Sequence, residues 1–148
     1  MGGKMCIVTG ANSGIGKETA LGLAQMGARV VMVCRNAEKG KAALEEIRRE
    51  SGSSQVDLLI ADMSSQASVR ALAEQIRRKY PRLDVLVNNA GGAALAVALS
   101  ADGIEMTLAT NHLGPALLTL LLLDLLRLAR HRASLMSRHR RPNTHAST

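Results

Sequence analysis

Thr9-Gly10-Ala11-Asn12-Ser13-Gly14-Ile15-Gly16 is the stretch that decides how this chain folds. Ahead of it, Met5-Cys6-Ile7-Val8 is a short apolar run rich in strand formers. Behind it, Lys17 to Met26 carries Ala20, Leu21, Leu23 and Ala24 at helical spacing. Strand, glycine loop and helix in that order build a place where a pyrophosphate rests on the amides of a helix N-terminus. The glycines divide the work. One makes the tight turn out of the strand, one lets backbone approach the phosphates, and one lets the helix pack closely on the sheet. A glycine loop alone also turns corners for no chemical purpose, so the flanking elements carry the reading.

Outward from that loop the pattern repeats. Gly27 ends the first helix, and Ala28 to Cys34 is a continuous apolar run, as for a strand buried on both faces. Asn36 caps a second helix from Ala37 to about Glu50, with Ala42, Ala43, Leu44 and Ile47 inward. Val56 to Ala61 reads as a third strand. Ser64 or Ser65 caps a third helix that runs to Tyr80 and is stopped by Pro81. Val85-Leu86-Val87 is the fourth strand, and Ser100 is the expected cap of the last helical region. Strands alternating with helices predict a parallel sheet covered on both faces, with ligands beyond the strand C-termini. The polar and glycine-rich residues fall there: the first loop, Arg35, Asp62, and Asn88-Asn89-Ala90-Gly91.

At 148 residues the chain is one domain by length, and 47% hydrophobic residues suffice for a core, although it has one Tyr and no Phe or Trp. The net charge of +7 is not spread evenly: residues 127–148 hold six Arg and no acidic residue. The domain before them is nearly neutral, which argues against nucleic acid as its partner. Cys6 and Cys34 lie in strand patterns and read as buried thiols of a reducing, cytoplasmic compartment. The first strand begins by residue 5, leaving no room for a secretory signal, and Cys6 breaks the myristoylation pattern behind Gly2. Leu113 to Leu128 is a long apolar run, but Gly114, Pro115, Thr119 and Asp124 interrupt it too often for a membrane span.

Thr9 to Gly16, Asp62, Asn88 to Gly91, and Asn111-His112-Leu113-Gly114 together resemble the short-chain dehydrogenase/reductase family, closest to its retinol-dehydrogenase-like and protochlorophyllide-reductase-like branch. The likeness runs from about residue 4 to 127. It implies an α/β fold, a Rossmann-type doubly wound parallel sheet, here stopping after about four strands and the following long helix. It also implies a nicotinamide cofactor held by Gly10, Ala11, Asn12, Ser13, Gly14, Ile15 and Gly16. An acidic residue at the end of the second strand would grip the adenosine 2′-hydroxyl; Cys34 and Arg35 stand there instead. A guanidinium pairs with a 2′-phosphate where a carboxylate would repel it, so Arg35 favours NADP(H) over NAD(H). Lys17 either adds positive potential near the phosphates or is plain surface. Asp62 would accept a hydrogen bond from the adenine amino group beside the Met63 backbone, or else serve as a helix cap. Asn88, Asn89, Ala90 and Gly91 would lie against the cofactor ribose.

Asn111 corresponds to the asparagine of the family's catalytic tetrad, whose main-chain carbonyl holds a water of the proton relay. Pro115, four residues on, has no N–H to donate to that carbonyl, and a kink is expected there. His112 reads as a surface histidine, not a metal ligand; no metal site is expected. The resemblance also implies homo- or hetero-oligomers through the 113–128 helix.

After Arg127 the likeness stops. The family continues to a strand ending in a catalytic Ser and then to a Tyr-x-x-x-Lys pair. The only tyrosine here is Tyr80, followed four residues later by Asp84, and no lysine occurs after Lys79. One permitted codon choice for Ala133 to Arg138, read two bases on, spells Ile-Val-Asn-Val-Ser, which is what the missing strand looks like. Residues 1–127 are therefore expected to be an NADP(H)-binding half-domain, and 128–148 a basic, disordered tail, read out of frame. The expected ancestral function is hydride transfer between nicotinamide and an alcohol or carbonyl carbon, absent from this chain alone. A non-catalytic nucleotide-binding module, a regulatory partner of a full-length relative, and an aggregating broken product remain as alternatives. An arm for nucleic acid or membrane is disfavoured, since the tail has no aromatics and no amphipathic pattern.

Overall fold

The computed structural model describes residues 1–93 and 95–129. Four parallel strands run in the order β3-β2-β1-β4. They are β1 (Met5–Thr9), β2 (Arg29–Cys34), β3 (Val56–Ile60) and β4 (Val85–Val87). Their helices are α1 (Gly14–Gln25), α2 (Ala37–Ser51) and α3 (Gln66–Lys79). After β4 come the short α4 (Met106–Leu108), a π-helical turn (Ala109–Leu113), α5 (Gly114–Leu121) and α6 (Leu123–Ala129). This is the doubly wound sheet the alternation predicts.

The continuous apolar runs of β1 and β2 are explained by their position. All five residues of β1 are buried, and successive side chains enter opposite layers. Met5 and Ile7 join Val31, Val33, Leu72 and Ile76 with Leu118 and Leu122 on the α3/α5 side. Cys6 and Val8 join Val30 and Met32 with Ala20, Ala24 and Ile47 on the α1/α2 side. The single aromatic, Tyr80, is 1% exposed. It closes the lower end of the core, its hydroxyl donating to Asp57 Oδ2 at 2.9 Å, with Arg29 5.0 Å above its ring.

Caps set the helix limits. Asn36 Oδ1 accepts from the Lys39 amide at 2.9 Å, and Ser65 Oγ from the Ser68 amide at 3.3 Å. Gly27 and Gly52 leave their helices at φ 80° and 66°, a region open to glycine. Ser100 is not a helix cap. Its hydroxyl receives the Asp102 and Ile104 amides and closes a turn, whereas Glu105 caps the helix, its two carboxylate oxygens taking the Thr107 and Leu108 amides. Ser100 is already engaged in that turn, ahead of the helix, and Glu105 stands directly before Met106.

The last helical region differs from a single kinked helix. The loss of a donor at Pro115 is absorbed by the π-helical turn, in which the Gly114 amide donates to the Ala109 carbonyl. The sharp bend of 56° falls later, between α5 and α6. There the Arg77 guanidinium holds both Asp124 oxygens, at 2.8 and 2.7 Å, and donates to the Leu121 carbonyl, ending α5. No single helix among the described residues is long and apolar enough to cross a membrane. Leu128 and Ala129, placed in the tail by sequence, belong to α6; the expected disorder and shifted frame concern residues that lie outside those described.

Candidate functional site

Thr9, at the end of β1, laces the top of the sheet together. Its hydroxyl receives the Asn89 and Ala90 amides at 3.1 and 3.0 Å and donates to the Val87 carbonyl at 3.4 Å. In return Asn89 Nδ2 donates to the Thr9 and Gly10 carbonyls at 3.1 and 3.2 Å. The loops after β1 and β4 are thus fixed to each other where the strand order reverses, the place where open α/β sheets bind ligands. Thr9 opens the quoted motif, but its joining role depends on a partner 80 residues away in sequence.

Gly10 is required twice over. Its φ is +66°, and a Cβ would come within 2.8 Å of Ala90 Cα. Gly16 has no room for a Cβ either, since one would overlap the Gly10 carbonyl and the Asn89 amide. Gly14, by contrast, has φ +54° and open space in front of it. Ser13 makes no side-chain cap bond to α1, so the first amides of that helix are not taken up by its own cap residue.

Between these loops and the ends of β2 and β3 lies a cavity of about 890 Å³. Gly10, Asn12, Ser13, Gly14 and Ile15 form its floor and near wall. Arg35 bounds it after β2, Asp62 and Met63 after β3, and Asn89, Ala90 and Gly91 after β4. Four of the expected residues stand off the cavity. Ala11 is fully buried and Gly16 is taken up in packing. Asn88 turns away, its Nδ2 donating to Thr119 Oγ1 at 3.0 Å on α5. Asn111 clamps the loop after β4, its Nδ2 donating to the Gly92 carbonyl at 2.9 Å and its Oδ1 receiving the Gly92 amide at 3.0 Å. Asp62 is not the helix cap that was its other reading, and it lines the cavity. Its Oδ1 accepts from the Ser64 amide and hydroxyl at 2.9 and 2.7 Å, while Ser65 is the true helix cap.

Other lining residues are not among the site residues expected from sequence, although Asn36 was named as a helix cap. Asn36 and Lys39 join Arg35 on the rim, and Met106, Thr107 and Thr110 line it from the helical region after β4. Lys39 was findable: it sits one turn into the helix that Asn36 caps, on the side of Arg35. Lys17 does not face the cavity; it pairs with Glu46 of α2 at 2.5 Å, a hydrogen bond that lowers the Glu46 carboxyl below its ordinary value.

A family model described as short chain dehydrogenase matches residues 4–136. The chain belongs to that family. It is 48% identical over 125 residues to Dehydrogenase/reductase SDR family member 13 of Homo sapiens, covering 84% of this chain and 33% of that protein. It is 48% identical to retinol dehydrogenase 11 of Mus musculus, covering 84% of this chain and 40% of that one. The chain therefore spans between a third and two fifths of these curated relatives. Among solved structures, the Pseudomonas aeruginosa RhlG/NADP active-site complex superposes with a TM-score of 0.74 at 33% identity, over 87% of this chain and 48% of that one. The family match extends nine residues past Arg127, where the motifs quoted from sequence end.

Short chain dehydrogenases use nicotinamide cofactors, and the donor set here suits one. Uncapped helix amides behind an open Gly14 offer a seat for a pyrophosphate. Asp62 offers an acceptor on the β3 side, and the loops at Gly10 and Gly91 present backbone without bulk. The cavity volume lies in the range of small-molecule sites.

Proposed function

We propose that this chain is the cofactor-binding half of an NADP(H)-dependent oxidoreductase that moves hydride between nicotinamide and an alcohol or carbonyl carbon. The observation that carries the cofactor preference is the rim after β2, where Arg35 and Lys39 stand beside Asn36, while the one carboxylate among the described lining residues, Asp62, follows β3. Among the described residues Arg35 makes no ion pair. A 2′-phosphate there would meet a guanidinium and an ammonium at once. The alcohol or carbonyl substrate class is supported by the retinol dehydrogenases among the relatives.

Catalysis by the 148-residue chain alone is not expected. Its one tyrosine is Tyr80, and burial first, then the Asp57 carboxylate, push that hydroxyl well above the ordinary tyrosine range, on the far side of the core from the cavity. Two free, buried thiols, Cys6 and Cys34, suit a reducing cytoplasm.

Titration decides the cofactor reading. NADPH should bind at least tenfold more tightly than NADH, about 1.4 kcal/mol, and Arg35→Asp should erase or invert that ratio. Equal affinity in the unaltered chain, or an unchanged ratio in Arg35→Asp, would overturn it. Turnover of ketones or aldehydes with NADPH by the purified chain would overturn the inactive reading separately.

A second reading, a partner that docks on a full-length relative, is favoured by one feature. Leu113 at the end of the π-helical turn, and Leu120 and Leu128 on the helices after it, are exposed. Mixed oligomers on co-expression with such a relative would support it.

A further inference from the structure

The motif that begins at Asn111 ends at Gly114, and the reasons for that glycine differ from those for the loop glycines. Gly114 has φ −60° and ψ −53°, ordinary right-handed helix that any residue adopts. Alanine would be the better helix former there. Space is what excludes it. A Cβ on Gly114 would overlap the Met63 carbonyl oxygen and lie 3.2 Å from the Ala109 carbonyl. The obstruction is backbone, not a side chain that could swing aside.

Met63 belongs to the wall that carries Asp62, and that wall cannot retreat. The Asp62 amide donates to Ser68 Oγ at 2.9 Å, and Asp62 Oδ1 is held by Ser64. The adjoining start of α3 is held from the other side, where the Gln66 amide donates to Asp102 Oδ2 at 2.8 Å. Met106 and Thr110, which precede Gly114 by eight and four residues, line the same cavity. The contact of Gly114 with Met63 is therefore where the helical part of the lining is seated against the Asp62 part. Any side chain at 114 would move the helix, and with it Met106 and Thr110, away from Asp62.

We infer that Gly114 is a positioning residue: it sets the width of the cleft between Asp62–Met63 and Thr110, and through it the selectivity of the site for the nucleotide base. The inference rests on the nucleotide-binding reading above. The cleft holds a purine edge against the Asp62 carboxylate only while the opposite wall is close enough to confine the ring. A widened cleft would still accept the phosphates, which bind at α1 and the β2 rim, but would read the base poorly.

The test uses the full 148-residue chain and two probes, NADPH and its hypoxanthine analogue, which lacks the amino group that Asp62 would receive. One hydrogen bond to a charged acceptor predicts about a tenfold preference for NADPH in the unaltered chain. Gly114→Ala should bring the ratio close to one. A general folding defect would weaken both probes in proportion and leave the ratio intact, so an unchanged ratio in folded Gly114→Ala overturns the inference. If that variant does not fold, Thr110→Ala widens the same cleft without touching Met63. A lowered ratio there supports the inference, and an unchanged one overturns it. Binding of NADPH without base preference in the unaltered chain also overturns it, leaving the nucleotide reading intact. Failure to bind NADPH at all removes the nucleotide reading itself.

Discussion

Asp84 shows how one buried carboxylate can hold two strand starts in register. Its side chain is 5% exposed and lies beside Arg82, which grips both oxygens at 2.7 Å, with Lys4 at 3.6 Å. It accepts the Met5 amide at 2.8 Å while its own amide donates back to the Met5 carbonyl at 2.9 Å, fixing β1 to β4. Burial alone would raise this carboxyl; the Met5 amide, Arg82 and Lys4 outweigh it and hold it below its ordinary value of 3.8. A carboxyl lowered on folding contributes stability above its unfolded pKa and loses it as pH falls through the folded one. Asp84→Ala should therefore cost about 2 kcal/mol at neutral pH, and the gap to the unaltered chain should shrink steadily as pH drops below about 4 in urea melts. A gap independent of pH would mean that packing, not charge, is what the variant removes. Gly10→Ala belongs to the same scale. Its φ of +66° and the near backbone of Ala90 predict a loss of about 2 kcal/mol or more, read as a lower unfolding midpoint. Sequence alone made Gly10 and Arg35 legible because their neighbours in the chain give the reason. Thr9 and Asn89 were only half legible, since each explains the other across 80 residues.

Elements were legible where local chemistry settled them and obscure where packing did. Asn36, Gly27, Gly52 and the apolar runs fix α1, α2 and the strands from nearby residues, and those elements lie where the pattern puts them. The segment around Pro115 is different. A missing N–H can be met by a kink or by a shift to π-helical bonding, and sequence does not choose between them. The choice is consistent with contacts from elsewhere: Gly114 on the Met63 backbone and Asn111 on Gly92 hold both sides of the turn in place. The bend after α5 is likewise set from outside, by Arg77 of α3. Asp124 and Arg77 are substantially exposed, 59% and 40%, so the pair itself contributes only about 0.5–1 kcal/mol. Arg77→Ala should accordingly leave global stability nearly unchanged while amide exchange in α6 (Leu123–Ala129) accelerates several-fold. If exchange in α6 stays as slow as in the unaltered chain, the bend is held by Leu122 and Leu125 in the core and not by the guanidinium.

Taken as one body, the sheet is fully dressed on β1 and β2 and less so at its margin. β4 has only half-buried residues and pairs on one side with β1, so its other edge is unpaired among the described residues. Leu95, Val97 and Leu99 stand exposed in the segment that follows, and Leu113 and Leu120 on the helices beyond. An open strand edge beside exposed leucines is the kind of surface on which association can be tested. The helix face can be tested apart from the edge. Leu120 is 68% exposed and fully outside the core clusters, so Leu120→Lys should change stability by no more than about 0.5 kcal/mol. If copies or relatives dock on that face, the same substitution introduces a buried, unpaired ammonium into the contact and should shift the oligomer to a smaller species in light scattering after gel filtration. If the species is unchanged while the fold is intact, any association runs elsewhere, the outer edges of β4 and β3 being the unpaired strand edges among the described residues. A charge that tests the β4 edge, Leu86 being directed to the core and Val85 and Val87 to the α1/α2 side, would have to be introduced in the loop at Val97.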